Sequence, residues 1–215
     1  MNQLNNRNPG GCRSASSFKL ISSNVRGWGD TLKQRKQMTH FQSLNPSIIC
    51  ISETKFDKKK EKQFRNIYGS EYRCFFSNYM SNSRGVALLI DKKFPIKICN
   101  STSDDQGRFV IVQAEINSKN VLFASIYGPN DDDPDFLEHM FETIFNLNPE
   151  HVCIAGDFNT GPSEILDYSN YVNVSHKNAR SKLIESLESY NMCDAYRFKN
   201  DTKIEYTWEA DGLRP

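Results

Sequence analysis

From Phe18 onward the chain alternates short apolar, β-branched runs with stretches whose apolar residues recur at helical spacing, the pattern of a mixed α/β domain. The runs predict strands at Phe18–Asn24, Ser47–Glu53, Tyr72–Ser77, Val86–Asp91, Ile96–Asn100, Arg108–Ile116, Val121–Tyr127 and Val152–Asp157. Ile111–Ile116 and Val121–Ile126 are separated only by Asn117-Ser118-Lys119-Asn120, so part of the sheet is expected as antiparallel hairpins and not as βαβ repeats. Three helices are legible. Thr31–Leu44 places Leu32, Met38, Phe41 and Leu44 on an apolar side and stops before Asn45-Pro46, a pair that disfavours continuation. Asp133-Pro134-Asp135 opens the second, with Asp as N-cap, Pro at the first helical position and an acid in the first turn. Phe136, Leu137, Met140, Phe141 and Ile144 follow at core spacing. The third, Asn178–Tyr190, is expected to bury Leu183, Ile184 and Leu187 and precedes a short run at Cys193–Tyr196. Met1–Ser17 is rich in Asn, Ser and Gly, cannot offset its own ordering entropy and reads as a disordered leader.

Composition narrows the class. With 215 residues, 38% hydrophobic and 12% aromatic, the chain can build one sizeable core, leaving residues 18–215 as a single domain. The formal charge is +1, so no global field favours a polyanion, and any such contact depends on local patches. Cys12, Cys50, Cys74, Cys99, Cys153 and Cys193 are scattered without a CxxC pair and read as reduced core thiols, and zinc is disfavoured for lack of close-spaced ligands. Apolar runs fall short of the roughly 18 residues a membrane span needs, and the first residues lack a signal-peptide pattern. The expectation is an intracellular protein without a membrane partner, nuclear or cytoplasmic.

The informative feature is a recurrence. Apolar runs end, one after another, in Asn24, Glu53, Tyr127 and Asp157-Phe158-Asn159. Strand ends on a common sheet rim point into one crevice, the usual place for a site in α/β folds. Singly, each has a plain explanation as a turn former or helix-start acid. Together they make a set of two carboxylates, two amides and a phenol, which is hard-oxygen chemistry suited to Mg²⁺ or Mn²⁺ and to phosphodiester hydrolysis. The acidic cluster Asp131–Asp135 is explained by helix-start chemistry instead.

Basic residues gather at Lys55, Lys58, Lys59, Lys60, Lys62 and Arg65, with Asp57 and Glu61 among them. A DNA-backbone contact and a solvated helix face both fit that run. Arg84, beside Ser81, Asn82 and Ser83, forms a loop that tracks DNA or simply turns the chain.

The strings Ile21-Ser22-Ser23-Asn24-Val25-Arg26-Gly27, Ile51-Ser52-Glu53-Thr54, Arg84-Gly85-Val86-Ala87, Ser125-Ile126-Tyr127-Gly128-Pro129-Asn130, Gly156-Asp157-Phe158-Asn159 and Tyr206-Thr207-Trp208 stand in the order found in the endonuclease/exonuclease/phosphatase superfamily. The chain resembles most the endonuclease domain of LINE-type (non-LTR) retrotransposons, over Phe18–Trp208. The resemblance implies a two-sheet α/β sandwich flanked by helices and a Mg²⁺-dependent endonuclease that nicks duplex DNA and leaves a 3′-hydroxyl. It implies that Glu53 is the principal metal ligand, with Asn24 orienting phosphate and metal. Tyr127 would contact the phosphate, Asp157 and Asn159 would position and activate the attacking water, and Thr207 would sit beside DNA, with Arg84 as a further substrate contact. No protein partner is indicated, and no reverse transcriptase sequence is present. Relatives on the same fold act on inositol phosphates or lipids, and a non-catalytic nucleic-acid-binding remnant is the third reading.

The family continues after its Thr-Trp strand with a Ser-Arg-Ile-Asp strand and a Ser-Asp-His ending. This chain stops at Asp211-Gly212-Leu213-Arg214-Pro215. The expectation is a C-terminally truncated domain without its last strands. None of His40, His139, His151 or His176 has the Ser-Asp-His context, and losing such a charge-stabilising group costs on the order of 10²–10³ in rate. Activity is therefore expected to be weakened or absent.

Overall fold

The computed structural model describes residues 17–80, 82–163, 166–167 and 176–205. Its strands are β1 (Leu20–Asn24), β2 (Ile48–Ser52), β3 (Tyr72–Ser77), β4 (Val86–Asp91), β5 (Lys97–Ser103), β6 (Phe109–Ile116), β7 (Lys119–Tyr127) and β8 (His151–Asp157). Its helices are α1 (Thr31–Ser43), α2 (Lys58–Tyr68), α3 (Pro134–Phe145), α4 (Lys177–Ser189) and α5 (Ala195–Lys199). The strands form two sheets, ordered β1-β2-β4-β3 and β5-β6-β7-β8.

The sheets face each other across an inner core in which Ile48, Leu88 and Ile90 meet Val110, Val112 and Phe123. The outer face of the first sheet is covered by α1 and α2, through Met38, Phe41, Phe64 and Tyr68. The outer face of the second is covered by α3 and α4, through Leu137, Met140, Phe141 and Leu183. The result is the expected two-sheet sandwich flanked by helices. Because central strands are covered on both faces, β2 is buried along its whole length, which is why it reads as an unbroken apolar run.

Two pairings place the strand ends. β1 runs parallel to β2, setting Asn24 opposite Ser52, and β7 runs parallel to β8, setting Tyr127 opposite Asp157. The edge strands β1 and β8 pack against each other, so both pairs of C-terminal ends share one rim.

Local departures have local causes. The β6–β7 turn is only Asn117-Ser118, both at positive φ (50° and 63°), the two-residue hairpin geometry whose twist matches the strands. Lys119 and Asn120 therefore belong to β7 and not to the turn. Leu32 is 61% exposed, because α1 buries Gln34, Met38 and Phe41 and Leu32 lies about 200° round the axis from Gln34. Leu44 is the exposed C-cap of the same helix. Ile184 is exposed for a similar reason: α4 turns Ala179, Arg180, Leu183 and Ser186 inward, and Leu187 is only partly buried. α2 was hidden in the sequence by its lysines. It is capped by Asp57, which accepts from Lys60 N at 2.8 Å, and its buried Phe64 and Tyr68 are spaced i, i+4.

Of the described cysteines, all five are free. Burial pushes the Cys50 thiol up to about 12 and the Cys74 thiol up to about 11, as core thiols should be. Cys99, at the bulge in β5, and Cys193, before α5, are exposed and do not belong to the core. No helix among the described residues is long and apolar enough to cross a membrane. The expected leader lies outside the described residues except for Ser17.

Candidate active site

The rim is assembled by backbone bonds that continue past the strand ends. Val25 N donates to Ser52 O at 3.0 Å, Gly27 N to Glu53 O at 2.7 Å and Thr54 N to Gly85 O at 2.9 Å. Lys55 N donates to Arg84 O at 2.8 Å. This stitching holds Glu53 at φ 55°, a left-handed conformation that costs a β-branched or long side chain on the order of 1–3 kcal/mol and persists only where the surroundings over-determine it. The turn lifts the Glu53 carboxylate off β2 onto the rim.

On the other sheet the chain approaches itself closely. A Cβ on Gly156, at φ +147°, would lie 2.1 Å from Ile126 O, so only glycine lets β8 run against β7 up to Asp157. Asp157 Oδ1 then accepts from Asn159 N at 3.1 Å, the turn that brings Asn159 back over the rim at φ 53°.

The two halves meet at Asn24. Its Nδ2 donates to Glu53 Oε1 at 2.8 Å and to Asp157 Oδ2 at 2.7 Å, while its Oδ1 accepts from Arg26 N at 2.9 Å. One amide group therefore spans the carboxylates of the two sheets, 133 residues apart in sequence for the Asn24–Asp157 bond. Lys55 Nζ lies 3.2 Å from Glu53 Oε2. Burial pushes the Glu53 carboxyl upward, but the hydrogen bond from Asn24, the Lys55 ammonium and the Tyr127 hydroxyl outweigh it and hold the group below its ordinary range. Glu53 is thus a charged acid at neutral pH.

Tyr127 is buried, and its hydroxyl faces the Glu53 carboxylate and donates to Asn130 Oδ1 at 3.3 Å. Burial and the Glu53 charge push its pKa up, so it stays a neutral donor. Asn159 Nδ2 donates to Asn130 Oδ1 and to Gly128 O, each at 2.8 Å. Arg108 backs this corner: its guanidinium lies 5.2 Å from the Tyr127 ring centroid, and Nη1 donates to Gly128 O at 2.9 Å.

The structure thus brings Asn24, Glu53, Tyr127, Asp157 and Asn159 to one rim. Arg84 is on its flank: its carbonyl holds Lys55, but its guanidinium lies over Tyr79, 4.6 Å from the centroid, and against Gln106. Thr207 lies outside the described residues. Sequence reading missed Asn130 and Arg108, which act on their neighbours and not at a strand end; the only available signal was that Asn130 closes the Tyr127-Gly128-Pro129-Asn130 string. Of the histidines, His40 and His139 lie on α1 and α3, and His151 opens β8 instead of preceding it. His176, the residue before α4, sets its Nδ1 2.8 Å from Asn159 O, beside the rim. Asp132, from the acidic cluster, accepts from Asn178 N and Ala179 N at 3.2 and 2.7 Å and so caps α4, while Asp133 caps α3.

The donor set suits a small hard cation. Two carboxylates converge on the Asn24 NH₂ group, whose amide oxygen is held by Arg26 N, and Mg²⁺ is typically held by one or two carboxylates with water completing its shell. The Lys55 ammonium now neutralises the Glu53 oxygen turned away from Asn24, which a cation would share or displace. Among the described residues no group of three or more His, Cys, Asp or Glu side chains is gathered as a metal cage.

A model of the endonuclease/exonuclease/phosphatase family matches residues 21–176, more than half of the chain. Among solved structures, the fold is similar to an AP endonuclease from Archaeoglobus fulgidus (20% identity, TM-score 0.71, covering 92% of this chain and 80% of that one). It is also similar to the 3′-5′ exonuclease NExo from Neisseria meningitidis (18% identity, TM-score 0.71, 91% and 80% covered). A 3′ phosphatase NExo from Neisseria, bound to a product DNA hairpin, matches with 17% identity and TM-score 0.61 over 80% of this chain and 71% of that one.

Proposed function

Because the chain belongs to the endonuclease/exonuclease/phosphatase family, we propose that it hydrolyses phosphodiester bonds in duplex DNA with Mg²⁺ or Mn²⁺, as a nicking endonuclease of the LINE type. The observation that carries this reading is the Asn24 amide shared between Glu53 and Asp157, which puts two carboxylates from different sheets on one point. DNA as substrate is supported by the neighbour solved with a DNA hairpin, and the LINE-type refinement by the Gly128-Pro129-Asn130 turn, whose Asn130 orients both Tyr127 and Asn159.

Glu53 and Asn24 would hold the cation, and Asp157 borders the same point. When bound, a divalent cation there would offset phosphoryl charge and make nearby water more acidic. Asp157 accepts the proton of the attacking water as its oxygen bonds to phosphorus. The bond from phosphorus to the 3′ oxygen breaks, and that oxygen takes up a proton from solvent water, leaving a 3′-hydroxyl and a 5′-phosphate. Asn159, fixed by Asp157 and Asn130, orients the water, and the neutral Tyr127 hydroxyl donates to a phosphoryl oxygen.

Incubation of supercoiled plasmid with the full chain and Mg²⁺ tests this reading. Relaxed circles are expected from the wild type at a weakened rate, and none from Glu53→Ala or Asp157→Asn. Undiminished nicking by both variants would remove the site assignment. Turnover confined to inositol phosphates or phospholipids would favour the phosphatase reading, and DNA affinity without turnover the non-catalytic one.

A further inference from the structure

A groove of about 610 Å³ runs across edge strand β3 from α2 to β5, on the side of the molecule away from the rim. β3 reaches the rim end at Ser77, opposite Val86, and Arg73 stands four residues back along the strand, about 13 Å at ~3.3 Å per residue. Arg65, Arg73, Lys92 and Lys97 line the groove and no carboxylate does. Lys92 and Lys97 are exposed. Lys97 is paired only at the surface with Glu115, and Lys92 Nζ donates to Gly69 O. Arg73 differs: its Nη1 is buried and has no hydrogen-bond partner among the described residues. A buried guanidinium nitrogen left unpaired is costly, so the position calls for an anion or a water. Phe75, on the same face of β3 as Arg73, lies half-buried along the groove.

We propose that this groove is a second nucleic-acid contact, taking phosphates of a single strand on Arg73, Lys92 and Lys97 with a base against Phe75. Cations interleaved with an aromatic face are the general means of holding single strands without reading sequence. An arginine fork matches phosphate oxygens bidentately. An acidic peptide added as a further strand fits less well, because Arg65 Nη1 already donates to Cys74 O of this edge strand at 2.6 Å. The contact is independent of the rim and does not require the catalytic reading.

The test is fluorescence anisotropy of a labelled ten-nucleotide oligothymidine with the full chain in EDTA, so that no turnover occurs. The pair Arg73→Glu and Lys92→Glu is expected to weaken binding about tenfold or more. It should also make log affinity fall less steeply with log salt, by about 0.7 for each phosphate no longer neutralised. Lys199→Glu, an exposed charge reversal on α5 outside both the rim and the groove, is expected to leave both unchanged. An iodouracil oligonucleotide is expected to cross-link to the peptide carrying Tyr72 and Phe75. Should the pair unfold the chain, the exposed Lys92→Glu and Lys97→Glu carry the same test singly, with affinity reduced about threefold by each. Wild-type binding by these variants, cross-links confined to rim peptides, or capture of hexaglutamate in place of the oligonucleotide would overturn the proposal.

Discussion

Asn24 offers one NH₂ group to Glu53 from its own sheet and to Asp157 from the other, so shortening it leaves two half-buried carboxylates without their shared donor. Asn24→Ala is expected to lower plasmid nicking on the order of 10²–10³-fold, the usual cost of removing one preorganised polar group at a reacting phosphate. Retained nicking would show that the bridge is dispensable. The Glu53 carboxyl has a separate readout. Its pKa in the folded chain is held below the ordinary 4.5, so its stabilising contribution is complete above that value and is lost as pH falls through the folded value. Thermal unfolding from pH 7 to pH 3 should therefore show the wild type losing stability relative to Glu53→Gln only below about pH 4.5. A difference independent of pH would contradict the assigned environment. Glu53 and Asp157 could be picked out in the sequence because each ends an apolar run. Their bridging by Asn24 could not, since a contact across 133 residues depends on which strands lie at the two sheet edges.

At the level of elements, the strands were legible wherever both faces are covered, as in β2 and β4, and less so at the edges. β5 extends to Ser103 through polar Asn100, Ser101 and Thr102, because an edge strand exposed along much of its length needs no apolar pattern. α2 escaped because its buried Phe64 and Tyr68 are outnumbered by lysines that face solvent. Two elements can be probed singly. Asp132→Ala removes the carboxylate that caps α4 from the β7–α3 loop and should cost about 1 kcal/mol in urea unfolding. No change would mean that the helix end is satisfied by water. Gly156→Ala drives a methyl into Ile126 O and should cost several times more, on the order of 3 kcal/mol or above, with nicking abolished as β8 is forced away from β7. A stable, active Gly156→Ala chain would show that the β7–β8 approach can relax.

The whole molecule stacks helices, sheet, sheet and helices, and the inner core fixes how the sheets are set against each other. The rim chemistry exists only because of that setting: Glu53 leaves one sheet, Tyr127 and Asp157 the other, and the parallel pairs β1–β2 and β7–β8 end at the same side. The formal charge of +1 gives the molecule no global field toward a polyanion, so the proposed nucleic-acid contact depends on a local arrangement, the basic groove along β3. The most direct measurement is calorimetric titration of Mn²⁺ or Mg²⁺ into the purified full chain and into Glu53→Gln and Asp157→Asn. One binding event in the wild type, abolished in Glu53→Gln and weakened in Asp157→Asn, is the expected result. Equal binding by all three chains would contradict a cation centre between these two acids.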